Sequence, residues 1–177
     1  MSDLYQQIMN QRGSFERLLE RIPGFRGYLD RAHRRTADRM LRDYIADLIA
    51  QRIQRLTQVE KRLLDNGGLS YMSKTTSVKT KMQTYHDRVK AAAPGYSGFM
   101  EAITVDAEAL ERIYSFDEAQ TRYADRFDEA LSALETAEGV DGINAAINAL
   151  DALAVEANQA FNLREDVLTN LNKDLSA

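Results

Sequence analysis

The sequence predicts an all-α fold, an elongated antiparallel helical bundle of about five helices with coiled-coil-like packing. Long segments repeat apolar residues at spacings of three and four, which is typical of helices that pack side by side. No period-two run of β-branched residues indicates a strand. With 177 residues, 44% of them apolar, the chain can bury a core, and we expect a single helical-bundle domain over 1–177.

Two helical segments fill the first third of the chain. The first repeats apolar residues at helical spacing: Leu4, Ile8, Phe15, Leu18 and Ile22. Gly13-Ser14 interrupts this segment, and because serine caps helix starts we expect a break there. The second helix is expected over about 28–65, on the order of 55 Å long. Asn66-Gly67-Gly68 ends it, because glycine accepts the left-handed conformation that closes a helix.

The rest of the chain predicts three further helices. The segment over about 71–92 is rich in Ser, Thr and Lys, whereas those over about 106–137 and 141–173 carry strict three-four repeats. The short link over 138–142 predicts that the last two helices are antiparallel neighbours. We expect the second helix to cover them, and the core to contain Phe116, Tyr123, Phe127, Ile147, Leu150 and Phe161 together with Leu41, Ile45, Leu48, Ile49 and Leu56.

A Pro-Gly-aromatic motif occurs twice, 71 residues apart, and each copy follows a helical segment. Proline stops the helix before it and glycine allows an otherwise costly backbone angle, so each copy predicts a corner between helices. We expect a positive φ at one glycine of each corner and at least partial burial of the aromatic side chains. The first corner contains Pro23, Gly24, Phe25, Gly27 and Tyr28, and the second contains Pro94, Gly95, Tyr96, Gly98 and Phe99. An ancestral duplication is the alternative to two similar turns.

Charge is divided unevenly along the chain. Residues 1–90 hold 18 Lys/Arg and 10 Asp/Glu, a net charge of +8, whereas residues 91–177 have a net charge of −12. The basic half contains a stripe of arginines at close to helical spacing, where like charges repel: Arg26, Arg31, Arg34, Arg35, Arg39 and Arg42. We expect an anionic surface against this basic stripe: the acidic half of the same chain, that of a neighbouring copy, anionic lipid or, as the weakest alternative, nucleic acid.

The sequence contains no recognisable catalytic or metal-binding motif. The absence of cysteine excludes a disulfide scaffold, a cysteine nucleophile and a thiolate metal site. The two histidines, His33 and His86, do not fit the spacings of metal or nucleophilic motifs, and the paired carboxylates are typical of a solvated helix face. The sequence therefore predicts no catalytic residue, no metal and no cofactor, in a protein that is not an enzyme.

Several of these segments together resemble an uncharacterised family of bacterial helical proteins. The resemblance covers about residues 20–135 and is carried by the run Glu20-Arg21-Ile22-Pro23-Gly24-Phe25-Arg26-Gly27-Tyr28, the basic helix after it, Asn66-Gly67-Gly68-Leu69-Ser70-Tyr71-Met72 and Gly95-Tyr96-Ser97-Gly98-Phe99. It implies no assigned activity, cofactor or catalytic residue. It implies an association with membrane-organising or envelope-stress systems.

These observations favour a non-enzymatic helical scaffold or assembly protein that acts through protein–protein contacts or self-association. The alternative is a peripheral membrane-surface protein linked to envelope stress or membrane organisation. A third hypothesis is a small enzyme or ligand carrier with an interhelical pocket. Because the sequence shows no signal peptide and no apolar run of about 18 residues, we expect a cytoplasmic protein, or one bound at the inner face of the membrane.

Overall fold

The computed structural model of this chain describes residues 3–91 and 106–176, with side chains as far as Leu171. Within these ranges the fold is all-α, as predicted, and contains six α-helices. They are α1 (Asp3–Met9), α2 (Ser14–Arg21), α3 (Arg34–Asp65), α4 (Met72–Lys90), α5 (Ala107–Thr136) and α6 (Gly139–Ser176). Short 3-10 turns at Arg31–His33 and Leu69–Tyr71 precede α3 and α4. All five residues of the second predicted corner lie outside the described residues.

The four long helices form a bundle of two antiparallel hairpins. The chain turns between α3 and α4 over residues 66–71, and between α5 and α6 over only Ala137 and Glu138. The neighbouring pairs are α3 with α4, α4 with α6, α6 with α5, and α5 with α3, so the four helices close a ring. The last two helices are therefore antiparallel neighbours, as their short link predicts.

The core of the bundle is the apolar seam that the three-four repeats predict. Every residue predicted for the core of α5 and α6 is buried, and Tyr85 of α4 packs among their rings. In α3 the predicted residues are also buried, except that Leu48 is half-buried. The repeats therefore placed the buried faces of α3, α5 and α6 correctly.

The short helices α1 and α2 lie on the outside of the ring. Both contact α5, and α1 also reaches α6. The chain breaks between them because Gly13 adopts a φ of +71°, and Gly13 rather than Ser14 occupies the N-cap of α2. The Ser14 hydroxyl instead donates to the Gln11 carbonyl at 3.2 Å. The break divides the first predicted helix in two, so the described residues contain six α-helices where about five were predicted.

The predicted start of the second helix at residue 28 is wrong. The α-helix begins at Arg34, because a 3-10 turn forms first. The Asp30 carbonyl accepts from the His33 amide at 3.0 Å and closes the turn, and the Asp30 carboxylate accepts from the Ala32 amide at 3.0 Å and caps it. Arg31 therefore lies in this turn and does not share the α-helical face of Arg35 and Arg39.

The predicted end of the same helix is confirmed. Gly67 adopts a φ of +82° directly after the C-cap residue Asn66. The Gly68 amide donates to the Leu63 carbonyl at 2.7 Å, and the Gly67 amide donates to the Leu64 carbonyl at 3.0 Å. This pair of bonds satisfies carbonyls at the helix end that would otherwise lack partners.

Candidate functional site

The first corner folds tightly against the N-terminal half of α5. Gly24 and Gly27 both have a positive φ, +80° and +77°, and Phe25 and Tyr28 are buried, as predicted. A Cβ atom at Gly27 would lie 2.7 Å from the Phe15 ring and would also overlap the Tyr114 hydroxyl. Only glycine therefore allows the backbone to approach α5 this closely.

Tyr28 fixes the corner to the bundle through three groups. Its amide donates to the Tyr114 hydroxyl at 2.8 Å, and its own hydroxyl donates to Asp117 Oδ2 at 2.6 Å. Arg34 Nε donates to the Tyr28 carbonyl at 2.7 Å. The rings of Tyr28 and Tyr114 are stacked, with centroids 5.5 Å apart. The corner is thus held by its backbone, its ring and its hydroxyl together.

Behind Tyr28 lies a cluster of charged side chains that we call the buried charge network: Arg34, Asp38, Arg42, Asp117 and Arg164, all buried. Arg164 Nε donates to Asp117 Oδ1 at 2.5 Å, and its Nη2 donates to Asp38 Oδ1 at 3.1 Å. Arg42 Nε lies 2.8 Å from Asp38 Oδ2, and Arg42 Nη1 donates to the Ala91 carbonyl. The network therefore joins the corner to α3, α5, α6 and the end of α4.

The pKa values in this region follow from burial. Burial raises the pKa of Asp117, and the charge of Arg164 opposes the rise. Burial also raises the pKa of Tyr28 well above its ordinary value, and the Asp117 charge adds to this. Both oxygens of Asp117 accept hydrogen bonds, from Tyr28 and Arg164. Such a carboxylate holds structure together and has no free oxygen with which to act as a general base.

The six arginines of the basic stripe divide into two groups. Arg34 and Arg42 are buried in the network, whereas the other four are exposed. Leu29 lies among these in sequence and is 77% exposed. We call the exposed set the basic corner surface: Arg26, Leu29, Arg31, Arg35 and Arg39. Burial lowers the pKa of Arg34. The positive charge of the neighbouring Arg31 lowers it further, because like charges repel at this corner.

The basic and acidic halves of the chain meet along the sides of the bundle. Arg55 binds Asp128 Oδ1 at 2.7 Å and Glu135 Oε2 at 2.8 Å, which joins α3 to α5. Lys81 of α4 binds Asp151 of α6 at 2.5 Å. The expectation that the two halves neutralise each other is therefore met along the sides of the bundle.

Sequence reasoning missed the residues at the centre of the network. Asp117 belongs to a helix whose carboxylates were expected to lie on a solvated face, and it is fully buried. A signal for Arg164 was present, because it follows Phe161 and precedes Leu168 at core spacing in the last three-four repeat. A charged residue at a core position predicts a buried partner, although the sequence does not say which.

Concave surfaces on the described part of the bundle are half-open grooves with volumes of about 210, 340 and 420 Å³. The 420 Å³ groove is lined by the Phe15 and Tyr114 rings and by Leu110. Within residues 3–91 and 106–176 no three His, Asp or Glu side chains are grouped so that they could hold a metal ion.

The α-helices among the described residues include none that is both long and apolar enough to cross a membrane. Three features of the described residues bear on function: the basic corner surface, the buried charge network and the grooves. In comparisons with protein-family models, with curated proteins and with solved structures, this chain matches none.

Proposed function

We propose that this protein is a non-enzymatic helical scaffold that assembles with an acidic protein surface through its basic corner surface. The observation that supports this most directly is the contrast within the corner. Its inner side is fixed by the Tyr28 contacts and the buried charge network, whereas its outer side exposes four arginines beside Leu29.

A rigid corner suits a binding role. Arginine is enriched at protein interfaces, where its planar group binds carboxylates in pairs of hydrogen bonds. A surface that is already ordered before binding loses less conformational entropy in the complex. Because Tyr28 and Arg34 hold the backbone of the corner, Arg26 and Arg31 start from fixed backbone positions.

The acidic residues of the same chain support a partner outside this molecule. Asp125, Asp128 and Glu135 of α5 bind Arg21, Arg55 and Arg62 at 2.5 to 3.2 Å. These carboxylates neutralise basic residues along the side of the bundle. We infer that the carboxylates facing Arg26, Arg31 and Arg39 come from a neighbouring copy or from a different acidic protein.

Charge reversal of Arg26, Arg31 and Arg39 to Glu tests the proposal. We expect the variant to keep its circular dichroism spectrum and to lose assembly, seen as a smaller light-scattering mass or as loss of a co-purified protein. The matched control reverses three exposed basic residues elsewhere, Arg12, Lys61 and Lys74, and has the same net charge. Equal mass and equal co-purified proteins for wild type, variant and control would contradict the proposal.

A membrane surface is the second candidate, and the exposure of Leu29 favours it. An apolar side chain among arginines is the combination that binds the interface of an anionic bilayer. Each cation near such a surface contributes about 1 kcal/mol. The same charge-reversal variant and control distinguish the two candidates. If the corner binds lipid, the variant with Glu at positions 26, 31 and 39 no longer sediments with anionic vesicles at low salt. Its light-scattering mass without vesicles then equals that of wild type.

A further inference from the structure

The middle of α5 is enclosed on every side. Nine consecutive residues, 113–121, are buried. Because a helical turn contains 3.6 residues, burial of nine in a row covers the whole circumference. The neighbours α3 and α6 cover the faces of α5 that point into the ring, and α1 and α2 cover the face that points outward. We call residues 3–22, which form α1, the link over 10–13, α2 and Ile22, the strap.

The outward face of α5 has the sequence of a solvated surface. Polar residues recur along it at spacings of three and four: Glu111, Ser115, Glu118, Arg122 and Asp125. Such a stripe is typical of the side of a helix that meets water. Its middle lies under the strap, where Ser115 is 1% and Glu118 is 0% exposed. The strap also covers rings of α5, because Phe15 packs on Tyr114 and Tyr5 packs on Phe116, so the face combines a polar stripe with apolar edges.

The strap binds this face through charge and through a few apolar side chains. Arg17 Nε lies 3.3 Å from Glu118 Oε1, and Arg21 Nη2 lies 2.5 Å from Asp125 Oδ2. Leu18 and Ile22 follow these arginines directly and are 0% and 3% exposed. The strap therefore presents the pattern Arg-apolar-x-x-Arg-apolar to an acidic groove on α5.

The fit of the strap leaves polar groups unsatisfied. Arg17 Nε and Glu118 Oε1 lie 3.3 Å apart and form no hydrogen bond, whereas Glu118 Oε2 accepts one from Arg122 Nε at 2.7 Å. The two helices have seven and eight residues, whereas an isolated helix needs roughly 12–15 to be stable in water. The strap is thus helical only while it is docked, and in its ion pair with the buried Glu118 the Arg17 side chain stays 38% exposed.

We propose that the face of α5 under the strap is a binding site for a basic amphipathic helix of a partner protein, and that α2 is its internal, displaceable occupant. The partner helix carries two arginines four residues apart, each followed by an apolar residue. It displaces α2 by forming the well-aligned bond to Glu118 that Arg17 does not form, while its second arginine replaces Arg21 at Asp125. This site is separate from the basic corner surface and does not depend on the function proposed for it.

The test uses the full chain and a fluorescent peptide with the sequence of residues 3–22 as the probe. In wild type the strap is tethered at millimolar effective concentration, so the peptide binds weakly. We expect Leu18→Ala in the full chain to loosen the strap and to strengthen peptide binding, measured by fluorescence anisotropy, at least tenfold. If that variant does not fold, Arg21→Ala loosens the strap with less loss of core packing. Leu64→Ala, at an exposed leucine of α3, is the matched control and leaves the affinity unchanged.

A charge swap shows whether the peptide occupies the proposed site. Adding Asp125→Arg to the loosened chain should weaken binding at least tenfold, and a peptide that carries Arg21→Asp should restore it. A loosened chain that forms dimers by exchanging straps would also support the site, because a second copy then fills it. The proposal is overturned if both loosened variants bind the peptide no better than wild type, or if Asp125→Arg leaves binding unchanged.

Discussion

At the scale of single residues, Arg164 has the most demanding position in the protein. It is 3% exposed and lies between the carboxylates of Asp117 and Asp38. A buried charge is costly unless it is paired and hydrogen-bonded, so each member of this group depends on the others. Removing one partner therefore costs more than the loss of a single hydrogen bond.

Two substitutions measure this dependence. Tyr28→Phe removes the hydroxyl that donates to Asp117, and we expect it to lower the free energy of unfolding by about 1.5–3 kcal/mol, as for bonds to charged groups. Arg164→Met removes the cation paired with Asp117 and one of the two cations beside Asp38, and should cost about 3–5 kcal/mol. Urea unfolding followed by circular dichroism gives both values. Tyr71→Phe, in a buried tyrosine of the turn before α4, is the control, and a Tyr28→Phe loss no larger than that of the control would refute the expectation.

Residue by residue, the sequence predicted apolar burial well and polar burial poorly. Phe127 and Leu150 follow from their spacing, because an apolar side chain at core spacing has only one favourable environment. Asp117 has two: it can face water, or it can face a buried arginine that is 47 residues away in sequence. Only the tertiary structure decides between them, so no local pattern identifies the network.

At the scale of elements, two glycines with the same backbone conformation are required for different reasons. Gly67 ends α3 with a φ of +82° and has open space where a Cβ would be. Gly27 has a φ of +77°, and a Cβ there would overlap the side chains of Phe15 and Tyr114. The first position requires a backbone angle, and the second requires that angle and the absence of a side chain.

The two alanine variants separate these requirements. Gly67→Ala should cost about 1–2 kcal/mol, the ordinary price of a left-handed alanine. Gly27→Ala adds an overpacking penalty of similar size and should cost about 3 kcal/mol or more. Thermal and urea unfolding of both variants provide the comparison. Equal losses at the two positions would mean that the corner can move away from α5 without cost.

The bounds of the elements were predictable where apolar repeats run without interruption, as in α5 and α6. The start of α3 was not, because residues 28–33 continue the arginine-rich pattern of the helix while Asp30 closes a 3-10 turn. The position of α2 was not predictable either. It lies on the polar stripe of α5 around Glu118, and a polar stripe predicts contact with water.

At the scale of the whole molecule, the two oppositely charged halves of the chain lie side by side. Ion pairs join α3 to α5 through Arg55 and Glu135, and α4 to α6 through Arg88 and Glu165. The sequence predicted that the halves neutralise each other as one alternative. It did not predict which arginines do so, because that depends on the register between helices that are distant in sequence.

These pairs make stability depend on pH. Hydrogen bonds from Arg55 lower the pKa of Glu135, and those from Arg126 lower the pKa of Glu156. A carboxyl whose pKa is lower in the folded than in the unfolded state stabilises the fold above the unfolded pKa, about 4.3 for Glu. We therefore expect the free energy of unfolding to fall as the pH drops from about 5 towards 3. The raised pKa of Asp117 acts in the opposite direction and reduces the slope.

Urea unfolding between pH 7 and pH 3 checks this expectation. Glu135→Gln in α5 and Glu156→Gln in α6 should each flatten the acid part of the curve. Glu129→Gln, at an exposed position of α5, is the control and should leave the curve as in wild type. Curves of the same steepness for all four proteins would show that these ion pairs do not control acid stability.

The short turns over 66–71 and 137–138, which join α3 to α4 and α5 to α6, have a consequence for the order of folding. Within each hairpin the contacts are local in sequence, so closing it costs little chain entropy and is fast. Docking one hairpin on the other has to join groups as distant as Asp38 and Arg164, 126 residues apart. We therefore expect the hairpins α3–α4 and α5–α6 to form first and the buried charges to meet late. Weakening those charges then speeds unfolding and leaves the folding rate nearly unchanged.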